Sequence, residues 1–282
     1  MIELCLFVVS FALCVFLFFL SRSLFASPPF LRDNYRGIKV PTALGFLFSP
    51  VFLLIWVFMK LVNYFYDLRI IRPELLLLVI GMCCIGLLDD IAERKDAKGF
   101  RGHIREFLRG NITTGFIKAS CGFLISMVAC AWLSRNFGQW ILNSAVISLM
   151  ANLFNLFDVK PGRALKIFFP LLVALIFANL SSVNPFLYPA SITAGVAFAL
   201  LPVDLSEKGM LGDAGSNVLG SIIGLGIVTG CGLISRLVIL AFILFLTIVS
   251  EKYSFSSIIS RNRVLNYIDR LGTKGTKGLS GK

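Results

Sequence analysis

Three short segments of this chain put carboxylates where an apolar run meets polar sequence. "GLLDD" sets Asp89 beside Asp90, "NLFNLFD" ends on Asp158, and "MLGDAGSNVLG" holds Asp213 close to two glycines. Adjacent carboxylates at a helix C-terminus meet each other and the negative end of the helix dipole. Both effects are unfavourable without a cation. A divalent ion such as Mg2+ reverses the sign, because hard cations prefer carboxylate oxygen. The plainer alternative is a pair of solvated acids balanced by Arg94 and Lys95.

The second segment places Asn152, Asn155 and Asp158 three residues apart, on one side of a helix. A polar stripe on an apolar helix faces a bundle interior or a wet cavity, because facing lipid is costly. Hydrogen bonding between helices is the simpler use of such asparagines. In the third segment Gly212 and Gly215 permit close backbone approach, and Ser216 is placed to cap the helix that follows. Free N–H groups there suit a phosphate, and Asp213 suits its metal. A bare cap accounts for the serine but not for both glycines.

Bases accompany the acids. The loop "ERKDAKGFRGHIREFLRG" carries Arg94, Lys95, Lys98, Arg101, Arg105 and Arg109, with His103, the one histidine of the chain, among them. Such density suits phosphoryl groups or an anionic membrane surface. Lys118 lies a short way into the next apolar run, where phosphate contact and snorkelling are both open to it. Metal-binding acids and phosphate-binding bases at a membrane fit phosphoryl transfer to or from a lipid, chemistry that depends on positioning and charge neutralisation.

The elements that must position these groups are apolar helices. Of the 282 residues, 57% are hydrophobic, well above the usual share in a soluble domain. Runs long enough to span a bilayer recur along the whole chain. Nine helices are expected, at about 2–26, 42–60, 70–88, 112–134, 138–157, 164–180, 185–202, 216–232 and 234–250. The expected fold is an all-α, polytopic transmembrane bundle over 1–250 with a basic tail over 251–282. No internal repeat is visible. The N-terminal run reads as a retained first span, since Glu3 stands where a signal peptide carries bases.

The seven cysteines lie inside apolar runs without metal-ligand spacing and read as small buried hydrophobes. A net charge of +12 in so apolar a chain points to loops facing an anionic leaflet and not to nucleic acid. Most Lys and Arg fall in 27–41, 89–111, 158–163, 202–215 and the tail. The alternate loops hold only Lys60, Arg69, Arg72, Arg135 and Arg236. Bases mark the cytoplasmic side, so the N-terminus is expected outside and the C-terminus inside. All three acidic segments then share the cytoplasmic face of a cell membrane.

In this order, "PTALG" (Pro41–Gly45), "GLLDD", "NLFNLFD" and "LGDAGSNVLG" resemble the motifs of the polyprenyl-phosphate N-acetylhexosamine-1-phosphate transferase superfamily. That group includes the phospho-MurNAc-pentapeptide translocases and the UDP-GlcNAc:undecaprenyl-phosphate GlcNAc-1-phosphate transferases. The resemblance spans roughly 37–225. It implies that a polyprenyl phosphate attacks the sugar-side phosphate of a UDP-sugar with Mg2+ or Mn2+, yielding polyprenyl-diphosphate-sugar and UMP. By position it implies Asp213 and Asp89 as metal ligands, with Asp90 joining them in catalysis. Asn152, Asn155, Asp158, Gly215, Ser216, Arg101, His103, Lys118 and Arg261 fall to substrate binding. Implied partners are the lipid and the nucleotide-sugar, with a homodimer allowed.

Three departures accompany the resemblance. About one helix fewer is expected than the translocases have, with the C-terminus inside. Pro161 stands where the family carries a second aspartate, which in the translocase branch helps hold the uracil. The family's histidine-rich loop is replaced by "SRNRVLNYIDRLG", whose Arg261 and Arg263 supply charge without a titrating imidazole. A diverged member with another donor, or with binding but little catalysis, is the alternative within the superfamily. A transporter or lipid-binding protein is the alternative outside it, and it predicts broken helices or midplane charges.

Overall fold

Helices follow the apolar runs in order in the computed structural model, which describes residues 1–65, 71–92, 106, 109–110, 113–180 and 184–273. They are α1 Ile2–Leu20, α2 Arg22–Phe25, α3 Phe48–Asn63, α4 Pro73–Ile91, α5 Thr114–Cys130 and α6 Phe137–Phe157. Next come α7 Arg163–Ala178, α8 Leu187–Leu205, α9 Gly212–Gly230, α10 Leu233–Lys252, α11 Phe255–Arg261 and α12 Arg263–Arg270. Two strands, β1 Leu31–Asp33 and β2 Lys39–Pro41, pair antiparallel, with Arg32 opposite Val40. Among the described residues, five helical stretches are long and apolar enough to cross a membrane: α1, Leu44–Asn63, α6, α8 and α10.

The helical expectation holds, with corrections at its edges. The all-α reading misses the hairpin, which occupies the expected loop 27–41. Its turn is closed by Asn34, whose Oδ1 accepts from the backbone N–H groups of Arg36 and Ile38 at 2.9 and 3.1 Å. The first run does not continue to 26: α1 stops at Leu20, and the Ser21 hydroxyl donates to the Leu17 carbonyl at 2.6 Å. At their other edges α4 reaches Ile91 and α9 starts at Gly212, so Asp89, Asp90 and Asp213 are helical residues and not loop residues. Cys5 and Cys84 are exposed on their helices, whereas Cys14, Cys83 and Cys130 are buried as expected.

Helix α9 is the axis of the bundle. Its residues from Asp213 to Val228 are all buried, and α4, α6, α7 and the turn Leu44–Leu47 pack around it. Small residues let neighbours approach at backbone distance. A Cβ on Gly86 of α4 would run into the backbone of Asp213 and Ala214, and one on Gly45 into that of Gly215. The site end of α9 is thereby pinned against α4. The segment Pro41–Gly45 is laced to the approach of α9 by Met210 N–H to Pro41 O at 2.7 Å and Gly45 N–H to Leu211 O at 2.9 Å. By contrast α1 and α10 leave most of their apolar surface exposed, α1 packing on α8 and α10 on α6. In water such surface would drive association, and in lipid it is solvated.

Candidate functional site

Helix directions alternate so that the C-termini of α4, α6 and α8 meet the N-termini of α7 and α9 at one end of the bundle. Asp90 closes this junction. It is buried, and its two carboxylate oxygens accept from the backbone N–H groups of Asp213 and Ala214, each at 2.9 Å. These are first-turn donors of α9 with no partner inside their own helix. A carboxylate from another helix thus caps α9 and meets the positive end of its dipole. Gly212 has φ +75°, and a Cβ there would press on Asp90 Oδ2 at 2.6 Å, so only glycine fits. Ser216, expected as the cap, is instead buried inside the helix, its hydroxyl 3.5 Å from the Asp213 carbonyl.

Asp89, one residue earlier, points elsewhere. Its Oδ2 lies 2.9 Å from Lys118 Nζ, and the same ammonium contacts Asp213 Oδ2. Asn155 Nδ2 donates to that Asp213 oxygen at 2.9 Å. Side chains from α4, α5, α6 and α9 therefore converge on one point, with two carboxylates sharing one cationic atom. Lys118 reaches this point from within an apolar helix, and its ion pairs account for its depth there.

All of these groups except Lys118 stand at the wall of a cavity of about 900 Å³. Asp89, Asp90, Asn155, Asp158 and Asp213 line it. So do five acids or bases that sequence reasoning missed as site residues: Arg32, Asp33, Lys160, Asp204 and Glu207. Asp204 does carry a legible signal, being an acid in the last turn of an apolar helix like Asp89. Its Oδ2 accepts from Gly162 N–H at 2.8 Å and so fixes the loop between α6 and α7. Arg32 donates to the Asp90 and Ile91 carbonyls at 3.2 and 2.5 Å, capping the end of α4 from the hairpin. Across the same hairpin, Tyr35 and Arg36 donate to Glu207 Oε1 at 3.1 and 2.8 Å.

Not every expected site residue is here. Asn152 is exposed and absent from the cavity wall, although Asn155 and Asp158 line it. Gly215 and Ser216 are buried in helix packing, and Arg261 is exposed at the end of α11. Arg101 and His103 lie outside the described residues. Pro161 and Lys160 line the cavity, so the departure from the family motif falls on the cavity wall.

Among the described residues no cluster of three His, Cys, Asp or Glu forms a ready-made metal site. Two carboxylates aimed at a shared cation nevertheless suit Mg2+, which is commonly held by one or two carboxylates plus substrate phosphates. Asp89 and Asp213 have that arrangement around Lys118 Nζ. Asp90 does not, because backbone N–H groups already engage both of its oxygens.

Beside the cavity, Arg163 forms a buried bidentate pair with Asp269 of α12: Nε to Oδ1 at 2.8 Å and Nη2 to Oδ2 at 2.9 Å. Lys166 Nζ donates to the Asp269 carbonyl at 2.6 Å. Burial alone would raise the Asp269 carboxyl, but the hydrogen bonds and charge of Arg163, with Lys160 and Lys166 behind it, hold it below the usual carboxylate value. A depressed carboxyl contributes stability above its unfolded pKa of about 4 and loses that contribution as pH falls through the lower folded value. Docking of α12 is therefore expected to be flat from neutral pH to about pH 4 and to weaken only below it. Hydrogen exchange over 263–271, corrected for the intrinsic pH dependence of exchange, measures this. A release near pH 6 would contradict it.

The chain matches no protein-family model and no curated protein.

Proposed function

We propose that this chain is a multi-pass membrane transferase that moves a sugar 1-phosphate from a UDP-sugar to a polyprenyl phosphate. In this reading α1, α3–α10 are nine spans, the N-terminus is outside, and the cavity opens on the cytoplasmic face. The single observation that carries the proposal is the convergence of Asp89 and Asp213 on one cationic atom at the wall of a cavity. A volume of about 900 Å³ is within the range of small-molecule sites. Placement of the site where bases concentrate supports the orientation.

Mg2+ or Mn2+ bound between Asp89 and Asp213 would neutralise charge on the donor diphosphate. The protein's own groups have separable tasks. Asn155 orients Asp213 through its hydrogen bond, and Asp90 fixes the helix end that carries Asp213. With a metal held by Asp89 and Asp213, the Lys118 ammonium would be available to donate to phosphate oxygen. Asn155 and Asp158 face the nucleotide-sugar from α6. An oxygen of the polyprenyl phosphate attacks the sugar-side phosphorus, the bond from that phosphorus to the bridging oxygen breaks, and UMP leaves with the bridging oxygen.

Pro161 in the cavity wall favours a second reading of the donor: its base is not held by a carboxylate at this position. Purified protein with undecaprenyl phosphate, Mg2+ and a panel of nucleoside diphosphate sugars decides between donors. Nucleoside monophosphate release with at least one donor, abolished by EDTA and restored by excess Mg2+, is expected. Folded protein that releases nothing from any donor defeats the transferase reading.

A further inference from the structure

Helix α12 is built inside out for a helix at an aqueous surface. Val264, Tyr267, Ile268 and Leu271 recur at the i, i+3, i+4, i+7 spacing of one helix face. They are exposed, Val264 by 67% and Tyr267 by 68%, while the acid Asp269 on the other side is 8% exposed. The helix has thus turned its one acid inward, to Arg163, and its apolar side chains outward. The orientation is enforced: Asp269 is bound by both arms of the Arg163 guanidinium, and Ser256 of α11 accepts from the third nitrogen at 3.0 Å. Phe255 of α11 stacks on Phe157 at 4.7 Å. Rotating α12 to hide its apolar face would strand a buried Arg163 without its carboxylate partner, a strongly unfavourable change.

Two observations say what covers this face. Bases surround it: Arg261, Arg263 and Arg270 are exposed on α11 and α12. The face also continues an apolar surface, because α10 is almost entirely unburied down to Lys252 and α11 follows within three residues. Apolar side chains flanked by arginines, on a short helix at the end of a span, match the boundary of an anionic bilayer.

We propose that α11 and α12 form an interfacial contact with anionic lipid headgroups, with the α12 apolar stripe in the acyl boundary and Arg261, Arg263 and Arg270 on the phosphates. The contact is tied to the cavity, since Arg163 follows Gly162, whose N–H is held by Asp204 in the cavity wall. It rests on membrane placement and not on the transfer reaction.

The test is hydrogen exchange over 255–271 in the full chain, in nanodiscs of phosphatidylcholine alone or mixed with phosphatidylglycerol. Exchange is expected to be at least about fivefold slower in the anionic discs, the effect of one basic group near such a surface. High salt should remove the difference. The triple variant Arg261→Gln, Arg263→Gln, Arg270→Gln should remove it as well, with exchange in α9 unchanged as the control for folding. Equal exchange of the unaltered chain in both disc types overturns the proposal, whatever the variant does. Protection that appears only in discs holding two copies also overturns it, and assigns the face to a second copy of the chain.

Discussion

Asp213→Asn is expected to lower sugar-1-phosphate transfer by about 10²- to 10³-fold, the usual effect of removing one group that organises transition-state charge. The side chain keeps its shape, and its amide oxygen can still accept from Asn155 Nδ2, which bonds the carboxylate at 2.9 Å. What disappears is one of two negative charges that share Lys118 Nζ. A divalent cation would then be held by Asp89 alone, with little reason to sit between α4 and α9. The expected signature is a fall in turnover with a raised Mg2+ requirement and a melting temperature close to that of the unaltered chain. UMP release across a Mg2+ titration, beside a thermal melt, measures both. Near-normal turnover at ordinary Mg2+ would overturn the catalytic role proposed for Asp213.

Asp90→Ala is expected to act on the fold. It would leave two buried first-turn N–H groups of α9, those of Asp213 and Ala214, without their acceptor. Each orphaned buried donor costs about 1–3 kcal/mol. For a chain of this size the loss lowers the melting temperature by on the order of 10 °C. Asp90→Asn, with one amide oxygen in place of two carboxylate oxygens, is expected to fall between. Asp89→Ala should differ in kind, since the Asp89 carboxylate faces Lys118 at the cavity and not the helix end. It should lose activity with a small change in melting temperature. Equal destabilisation by the Asp89 and Asp90 substitutions would refute this separation of roles.

The adjacency of Asp89 and Asp90 was the clearest signal in the sequence and also its clearest limit. Both acids are visible as charges at the end of an apolar run, and together they point to a cation. Successive helix residues diverge by about 100°, so neighbours in sequence serve different partners. Which of the two meets backbone and which meets lysine depends on where α9 lies, and periodicity within α4 carries no information about that. Lys118 shows the same limit. Snorkelling and phosphate contact were equally open from its position, and the observed partner is a pair of acids from α4 and α9.

The hairpin was illegible for a different reason. Three-residue strands with one buried position carry too little alternation to read, and the Asn34 turn closes them locally. Ser216 failed as a cap because the helix begins four residues earlier, its N-terminus satisfied by a side chain 123 residues away in sequence. Asp269 reads as an ordinary surface acid on a short basic helix until Arg163 is placed beneath it.

The sequence by itself determined that the chain is helical and apolar, that several helices are long enough to cross a membrane, and that acids gather where those helices end. Hydrophobic run length and helical period are local properties, written residue by residue. Tertiary structure alone decided that Asp90 caps α9, that Asp89 and Asp213 share Lys118, that Asp204 joins the cavity, and that α12 turns its apolar face outward. Each depends on how separate elements are placed in space. For Asp90, Asp89 and Asp213 that placement is set by packing around α9, where Gly45, Gly86 and Gly215 allow backbones to touch, and for α12 by the Arg163 pair. Such placements are long-range outcomes that a one-dimensional pattern does not encode.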